Sequence, residues 1–212
     1  MIVVFDLDDT LYPELEFVKS GYRAVARFLD PDHEDELYDV MWSEFVSGDR
    51  RKIFNMVLDK YSFSVTVKEC VNEYWFHKPD IQLDPTVRDF LNTCKSKWTL
   101  GLITDGPQQM QRQKFDALGL DTVIDFPVFT DALGTSKPDE IPYRHIMNEC
   151  PSDSYVYISD NPKKDFVAPQ ALGWHSVRVL RENGIYRDIE TPSGIPEISS
   201  VVEAMPYLEE WG

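Results

Sequence analysis

The sequence predicts an α/β fold: a doubly wound, Rossmann-like parallel sheet with a small all-helical cap inserted after strand one. Three observations support this prediction. Ile2-Val3-Val4-Phe5 is a short apolar run that stops at acidic residues, as a buried parallel strand does. Residues 14–78 show only helical spacing of apolar side chains. After residue 80, strand patterns alternate with helical ones, which is typical of a parallel sheet.

The inserted segment is predicted to contain four helices and no strand. Its helical stretches are ELEFVKSGYRAVARFL, HEDELYDVMWSEFV, RKIFNMVLDKY and TVKECVNEYWF. Turn signals separate them at Asp30-Pro31, Ser47-Gly48 and Ser62. We therefore assign residues 14–79 to a helical cap, and residues 1–13 and 80–212 to an α/β core.

The core continues with strands and helices in alternation. Further strands are predicted at 98–104, 126–130, 155–159 and 176–180. Helices are predicted at 85–96, 107–118, 139–150, 163–172 and 201–208, two of them ended by Gly119 and Gly173. Consecutive parallel strands joined by helices place all strand ends of one kind on one edge of the sheet.

The charge of the chain restricts its partners. Thirty-seven acidic residues against 21 Lys and Arg give a net charge of −16. Nucleic acids and anionic membranes attract basic surfaces, so we expect neither as the main partner. No apolar run approaches the ~20 residues of a membrane span. Three distant cysteines without a CxxC pair, and no basic leader, predict reduced thiols and a cytoplasmic location.

Acidic side chains follow the strand that begins the chain and a strand near its end. Asp6 and Asp8 stand after strand one, and Asp160 stands after the strand at 155–159. Carboxylates this close repel one another unless one is protonated or a cation binds them. A few carboxylates with room for water and a phosphate oxygen suit Mg²⁺. The sequence therefore predicts a magnesium site at this edge.

A second group of residues suits an anion. Thr104 ends a predicted strand, and its hydroxyl together with the backbone N–H groups of Asp105 and Gly106 would form a cradle at a helix start. Lys137, before another predicted helix, adds a positive charge. A cation, a lysine, a hydroxyl and N–H groups spread over several oxygens fit a phosphoryl group.

Four motifs resemble those of the haloacid dehalogenase-like hydrolase superfamily. They are FDLDDT at 5–10, ITDG at 103–106, SKP at 136–138 and SDNPKKDF at 159–166, in the family's order and spacing. The stretches QRQKFDALG (111–119) and GIYRD (184–188) are similar to members with a helical cap after strand one. The resemblance extends from residue 2 to about residue 187.

The resemblance implies a mechanism. Asp6 would attack phosphorus and form an aspartyl-phosphate, an easier species to hydrolyse than a phosphate monoester. Asp8 would protonate the leaving alcohol and then take a proton from water. Asp6, the Asp8 carbonyl and Asp160 would hold Mg²⁺, and Asp165 would orient Lys137 or a metal-bound water. Thr104, Asp105 and Lys137 would bind phosphate.

The second aspartate refines the reaction class. Dehalogenases of the family lack it, and its phosphonatases use a cap lysine instead. Because Asp8 is present, the chain resembles the phosphatases and phosphomutases. Asp105 stands where the family often has Asn, and Ser159 where it often has Gly. We expect a phosphoric monoester hydrolase acting on a small phosphorylated metabolite, a nucleoside monophosphate or a sugar phosphate.

Two alternatives stay open from the sequence. A phosphomutase of the same type would return the phosphoryl group to another hydroxyl. A non-enzymatic phospho-aspartate signalling module shares the paired acids, hydroxyl, lysine and Mg²⁺, but its acceptor follows a third strand and it has no such insert. Taken singly, these acids and Thr104 also suit turns and helix caps.

The cap contains one basic cluster in an otherwise acidic chain. Arg50 and Arg51 lie at a predicted turn between two cap helices. We hypothesise that they bind a second anionic group of the substrate. Together with Lys52, they could equally be three solvated cations at the start of a surface helix. Tyr12 is a further candidate for a substrate contact.

Overall fold

The structure, a computed structural model, describes residues 1–212. It divides into two compact units: Met1–Glu14 with Gln82–Gly212, and Leu15–Ile81. The first is an α/β unit and the second contains only helices. No helix is both long and apolar enough to cross a membrane.

The α/β unit contains a six-stranded parallel sheet. Its strands are β1 (Ile2–Phe5), β2 (Thr99–Thr104), β3 (Phe126–Phe129), β4 (Tyr155–Ser159), β5 (His175–Val179) and β6 (Glu197–Ile198). They lie in the order β3-β2-β1-β4-β5-β6. β1 is central and pairs with β2 on one side and β4 on the other, with Phe5 opposite both Leu102 and Ile158. The predicted α/β fold with a parallel sheet is confirmed.

Helices cover both faces of this sheet. They are α5 (Pro85–Lys95), α6 (Gln108–Ala117), α7 (Ile141–Glu149), α8 (Val167–Ala171) and α9 (Met205–Trp211). Alternate residues of a strand point to opposite faces. Val4 accordingly packs in one core with Ile146 of α7, whereas Phe5 meets Phe90 of α5 on the other face, with ring centroids 6.3 Å apart.

Three details of the α/β unit differ from the sequence prediction. The helix predicted over 201–208 consists of a 3-10 turn at Val201–Ala204 followed by α9. The predicted helix over 163–172 begins only at Val167, because Asn161 and Asp165 hold the preceding segment in turns. The two-residue strand β6 was not predicted, since so short a segment has no periodicity to detect. Gly119 and Gly173 adopt positive φ angles after their helices, as predicted for terminating glycines.

The helical unit contains the four predicted helices. With the start of the first helix included, they are α1 (Glu14–Leu29), α2 (Glu34–Ser47), α3 (Ile53–Tyr61) and α4 (Val67–Phe76). Their apolar faces enclose a core of their own that includes Val25, Met41 and Val57, each fully buried. Thr66 and Glu69 form a reciprocal capping box at the start of α4.

Candidate active site

A cavity of about 190 Å³ lies at the carboxyl ends of β1, β2 and β4, within the α/β unit. Seven carboxylates and three lysines line it, so the lining is net acidic. The lining residues are Asp6, Asp8, Asp9, Glu14, Thr104, Asp105, Met110, Gln111, Lys114, Lys137, Asp160, Asn161, Lys164, Asp165 and Tyr186. The four sequence motifs therefore meet at one cavity.

Lys137 joins two of these motifs. Its buried Nζ lies 2.6 Å from Oδ1 of Asp6 and 3.0 Å from Oδ1 of Asp165. The same ammonium donates to the hydroxyl of Tyr157 at 3.2 Å. Burial alone would lower the pKa of Lys137, but Asp165 and Asp6 raise it well above its usual value. Lys137 is therefore a permanent cation beside Asp6.

Three carboxylates form a cluster suited to a metal ion. One oxygen each of Asp6, Asp160 and Asp165 lies within 4.8 Å of the others, and all three residues are buried. Burial raises the pKa of Asp6 to about 7, against the effect of Lys137. Burial, Asp6 and Asp165 raise the pKa of Asp160 to about 9. Buried oxygens that repel one another in this way fit a hard divalent cation such as Mg²⁺.

The Asp8 side chain has a different environment. Lys114 Nζ lies 2.8 and 2.9 Å from its two oxygens. The hydroxyl of Tyr12 donates to Oδ1 at 2.5 Å, and Nε2 of Gln111 donates to Oδ2 at 3.2 Å. Burial alone would raise the pKa of Asp8, but Lys114 and these hydrogen bonds lower it. Asp8 is therefore held as a carboxylate, with its oxygens engaged by donors.

Thr104 and Asp105 occupy the end of β2. The Thr104 hydroxyl donates to Oε1 of Gln111 at 3.1 Å. Asp105 accepts from the Thr130 hydroxyl at 2.8 Å and from the backbone N–H of Lys137 at 3.1 Å, and it pairs with Lys164. Burial alone would raise the pKa of Asp105, but Lys137 and Lys164 lower it. Its negative charge is thus balanced beside the cradle.

The loop after β5 is tied to the carboxylate cluster by a buried arginine. Arg178 donates from Nε to the carbonyl of Asp160 at 3.1 Å. Its two terminal nitrogens donate to the carbonyls of Ile189 and Tyr186 and to the Thr191 hydroxyl, each at 2.6 Å. Because Tyr186 lines the cavity, Arg178 positions one wall of the site.

The three predicted substrate contacts lie outside the cavity lining. Tyr12 is 1% exposed, and its hydroxyl is bound to Asp8. Arg50 and Arg51 belong to the helical unit, on the turn between α2 and α3. Arg50 donates to the carbonyl of Phe45 at 2.9 Å, and Arg51 pairs with Asp49 at 3.1 Å. Both arginine side chains therefore have partners within their own unit.

The sequence analysis assigned no role in the site to seven polar residues that line the cavity. They are Asp9, Glu14, Gln111, Lys114, Asn161, Lys164 and Tyr186. Gln111 and Lys114 are three apart on α6 and share a helix face, which was a detectable signal. Burial and Asp8 raise the pKa of Glu14 to about 7. All of these except Glu14 lie in motifs or stretches that the sequence analysis quoted, and nothing in the local pattern around Glu14 indicated the cavity.

The chain belongs to the haloacid dehalogenase-like hydrolase family, since the model of that family matches residues 3–179. It is 26% identical over 211 residues to a glyceraldehyde 3-phosphate phosphatase of Methanocaldococcus jannaschii, covering 89% of this chain and 87% of that protein. These findings are consistent with a phosphoric monoester hydrolase, as the motifs predicted.

Solved structures share the fold. One is YfnB from Bacillus subtilis, described as a HAD hydrolase and bound to magnesium, with a TM-score of 0.69 and 17% identity over 98% of this chain and 97% of that one. Another is a HAD phosphatase from Thermococcus onnurineus, with a TM-score of 0.63 and 18% identity over 99% of this chain and 98% of that one.

Proposed function

We propose that the chain is a Mg²⁺-dependent phosphatase that hydrolyses a small phosphorylated metabolite through an aspartyl-phosphate on Asp6. The observation that supports this most directly is the arrangement around Asp6. Its carboxylate lies 2.6 Å from the Lys137 ammonium and within one cluster with Asp160 and Asp165. A carboxylate nucleophile next to a fixed cation and a divalent-metal cluster suits attack on phosphorus.

The carboxylates of Asp6 and Asp160 and the backbone carbonyl of Asp8 would hold Mg²⁺. Asp165 lies in the same cluster and contacts Lys137, so it orients that lysine and supports the ion. When bound, Mg²⁺ would neutralise the carboxylates and the substrate's phosphate, which lets an acidic cavity accept an anion.

In the first half-reaction, Asp6 Oδ forms a bond to phosphorus as the bond to the leaving oxygen breaks. Lys137, the Thr104 hydroxyl and the N–H groups of Asp105 and Gly106 bind the phosphoryl oxygens. Asp8 passes a proton to the leaving oxygen. Lys114 and Tyr12 hold Asp8 as a carboxylate, so Asp8 has no proton of its own to give. It first takes the proton from the phosphate group of the substrate, which binds as the monoanion.

In the second half-reaction, Asp8 takes a proton from a water molecule that attacks phosphorus. The bond between the Asp6 oxygen and phosphorus breaks, Asp8 passes its proton to the departing phosphate, and Asp6 and Asp8 are both regenerated as carboxylates. The carboxylate state that Lys114 and Gln111 maintain is the form a general base needs. The same base would serve the phosphomutase alternative, in which a second substrate hydroxyl replaces water. The phosphatase names of the relatives support hydrolysis.

The name of one relative supports a substrate class. The named relative acts on glyceraldehyde 3-phosphate, which favours a sugar phosphate over a nucleoside monophosphate. The helical unit would serve as a cap, with Arg50 and Arg51 selecting a second anionic group and Tyr12 acting through Asp8. Three unpaired cysteines agree with a cytoplasmic enzyme, and nucleic acids and membranes are not expected partners.

Phosphate release from a panel of sugar phosphates and nucleotides tests this proposal. We expect release with Mg²⁺, none with a chelator and none from Asp6→Asn, while Asp121→Asn, at an exposed carboxylate, keeps the activity. Migration of phosphate within the substrate without release would indicate a mutase. A stable phospho-aspartate without turnover would indicate a signalling module.

Arg50→Ala and Arg51→Ala should change the order in which the enzyme prefers the substrates of the panel. An unchanged order would refute the role proposed for the two arginines.

A further inference from the structure

We propose that Lys114, together with Gln111, is a positioning residue for Asp8: the pair fixes the carboxylate that exchanges protons with the leaving oxygen and the attacking water. This inference rests on the proposed function. It assigns a role to two residues of α6 that lie outside the four sequence motifs.

The contacts restrain both oxygens of Asp8. Lys114 Nζ lies 2.8 Å from Oδ1 and 2.9 Å from Oδ2, so it spans the carboxylate. Tyr12 adds a donor on Oδ1 and Gln111 adds one on Oδ2. Rotation of the carboxylate would break contacts at both ends. The orientation of Asp8 is therefore set by its neighbours and not by its own rotamer alone.

The two donors on α6 are themselves fixed. Gln111 is 2% exposed and Lys114 is 1% exposed. Being three residues apart, they face the same direction from the helix. Oε1 of Gln111 accepts from the Thr104 hydroxyl, so a single amide joins Asp8 to the proposed phosphate cradle. Phe115 packs against Phe129 of β3, with ring centroids 5.9 Å apart, which anchors α6 to the sheet.

Stability alone is a poor reason for this ion pair. Removing an ammonium and a carboxylate from water costs free energy, and their mutual attraction often does not offset that cost. Replacing a buried ion pair by apolar residues of similar volume is often neutral or stabilising. The Lys114–Asp8 pair instead lines the cavity, where a precise carboxylate orientation has a chemical use.

Substrates with different leaving groups test whether Lys114 acts by positioning Asp8 or affects the activity in another way. An alkyl phosphate needs a proton on its leaving oxygen, whereas p-nitrophenyl phosphate does not. For Lys114→Met we expect first-turnover alcohol release from an alkyl phosphate to fall by about 100-fold, and nitrophenol release to fall by less than about tenfold. Hydrolysis of the aspartyl-phosphate should also slow, so phosphoenzyme should accumulate with p-nitrophenyl phosphate. An equal loss for both substrates without accumulation would overturn the proposal.

A double-mutant cycle tests whether Lys114 acts through Asp8. In an Asp8→Asn background, Lys114→Met should cause no further loss of alkyl-phosphate cleavage. Additive losses would show a separate role. Lys114→Arg should recover part of the activity, and Arg112→Met, at an exposed cation of α6, should leave both substrates unaffected. If Lys114→Met fails to fold, Gln111→Leu is expected to show the same leaving-group dependence to a smaller degree.

These outcomes separate two kinds of failure. A wild-type chain that releases no phosphate, or activity that survives Asp6→Asn, would refute the proposed function. An active, Asp6-dependent enzyme in which the Lys114 and Asp8 effects add would refute only the positioning role.

Discussion

Nζ of Lys137 lies 2.6 Å from Oδ1 of Asp6, although 131 positions separate the two residues in the chain. The ammonium also lies 3.0 Å from Asp165 and is fully enclosed. The nucleophile of the proposed reaction is thus bound to a cation that cannot be exchanged with solvent. This arrangement makes Lys137 the residue whose loss should disturb both activity and stability.

Lys137→Met should abolish phosphate release and destabilise the fold. The substitution leaves Asp6 and Asp165 buried without their cation, which costs about 3–5 kcal/mol of unfolding free energy. Urea denaturation and a phosphate assay measure the two effects. Lys163→Met alters an exposed lysine and should change neither quantity. Near-native stability of Lys137→Met would contradict this reasoning.

The stability of the metal-free protein should fall as pH rises. Asp160 has a pKa of about 9 in the folded chain against 3.8 ordinarily, so the folded state binds its proton more tightly. That stabilisation is complete below pH 3.8 and is lost as pH rises through 9. Urea denaturation with a chelator from about pH 6 to about pH 9 measures the slope. Asp160→Asn, which cannot ionise, should show a flatter profile.

Mg²⁺ should reverse much of this pH effect. The ion binds ionised carboxylates, so its affinity and its stabilisation of the folded chain increase with pH. The shift of the thermal midpoint on adding Mg²⁺ should therefore be larger at about pH 9 than at about pH 6. An equal shift in the wild type and in Asp160→Asn would argue against a metal at this cluster.

Asp105 is expected to tolerate asparagine but not alanine. Asn keeps an oxygen acceptor for Thr130 and the Lys137 N–H, and loses only the ion pair with partly exposed Lys164, worth at most about 1 kcal/mol. Ala removes the acceptor of three donors, at about 1 kcal/mol each. Denaturation of both variants tests this ranking. Equal stability of the two would show that the hydrogen bonds contribute little.

Arg178→Met should loosen the loop that holds Tyr186. The substitution removes the donors to the carbonyls of Asp160, Tyr186 and Ile189. The Tyr186 carbonyl keeps the backbone N–H of Ile189 as its donor. We expect faster cleavage by a glutamate-specific protease after Glu182 and Glu190, and a higher KM with a smaller change in kcat. Arg187→Met, at an exposed arginine of the same loop, is the matched control. An unchanged cleavage rate would show that contacts other than those of Arg178 hold the loop in place.

The sequence by itself determined the architecture and the edge of the sheet at which the candidate site lies. Apolar strands and helical spacings are local patterns, and they predicted a parallel sheet with a helical insert. Asp6, Thr104 and Asp160 each follow or end a predicted strand, and they do lie at the ends of the neighbouring strands β1, β2 and β4. The site could be located because parallel strands direct their carboxyl ends to one edge.

Only the tertiary structure decided which side chains face one another there. Asp8 and Asp6 are two residues apart in one motif, yet Asp8 pairs with Lys114 and Asp6 with Lys137. Arg178, an ordinary strand residue by pattern, proved to join Asp160 to the loop of Tyr186. Helix and strand periodicity states which face a residue occupies. The partner across that face depends on sheet order and on how α6 and the β5 loop pack, which no local spacing records.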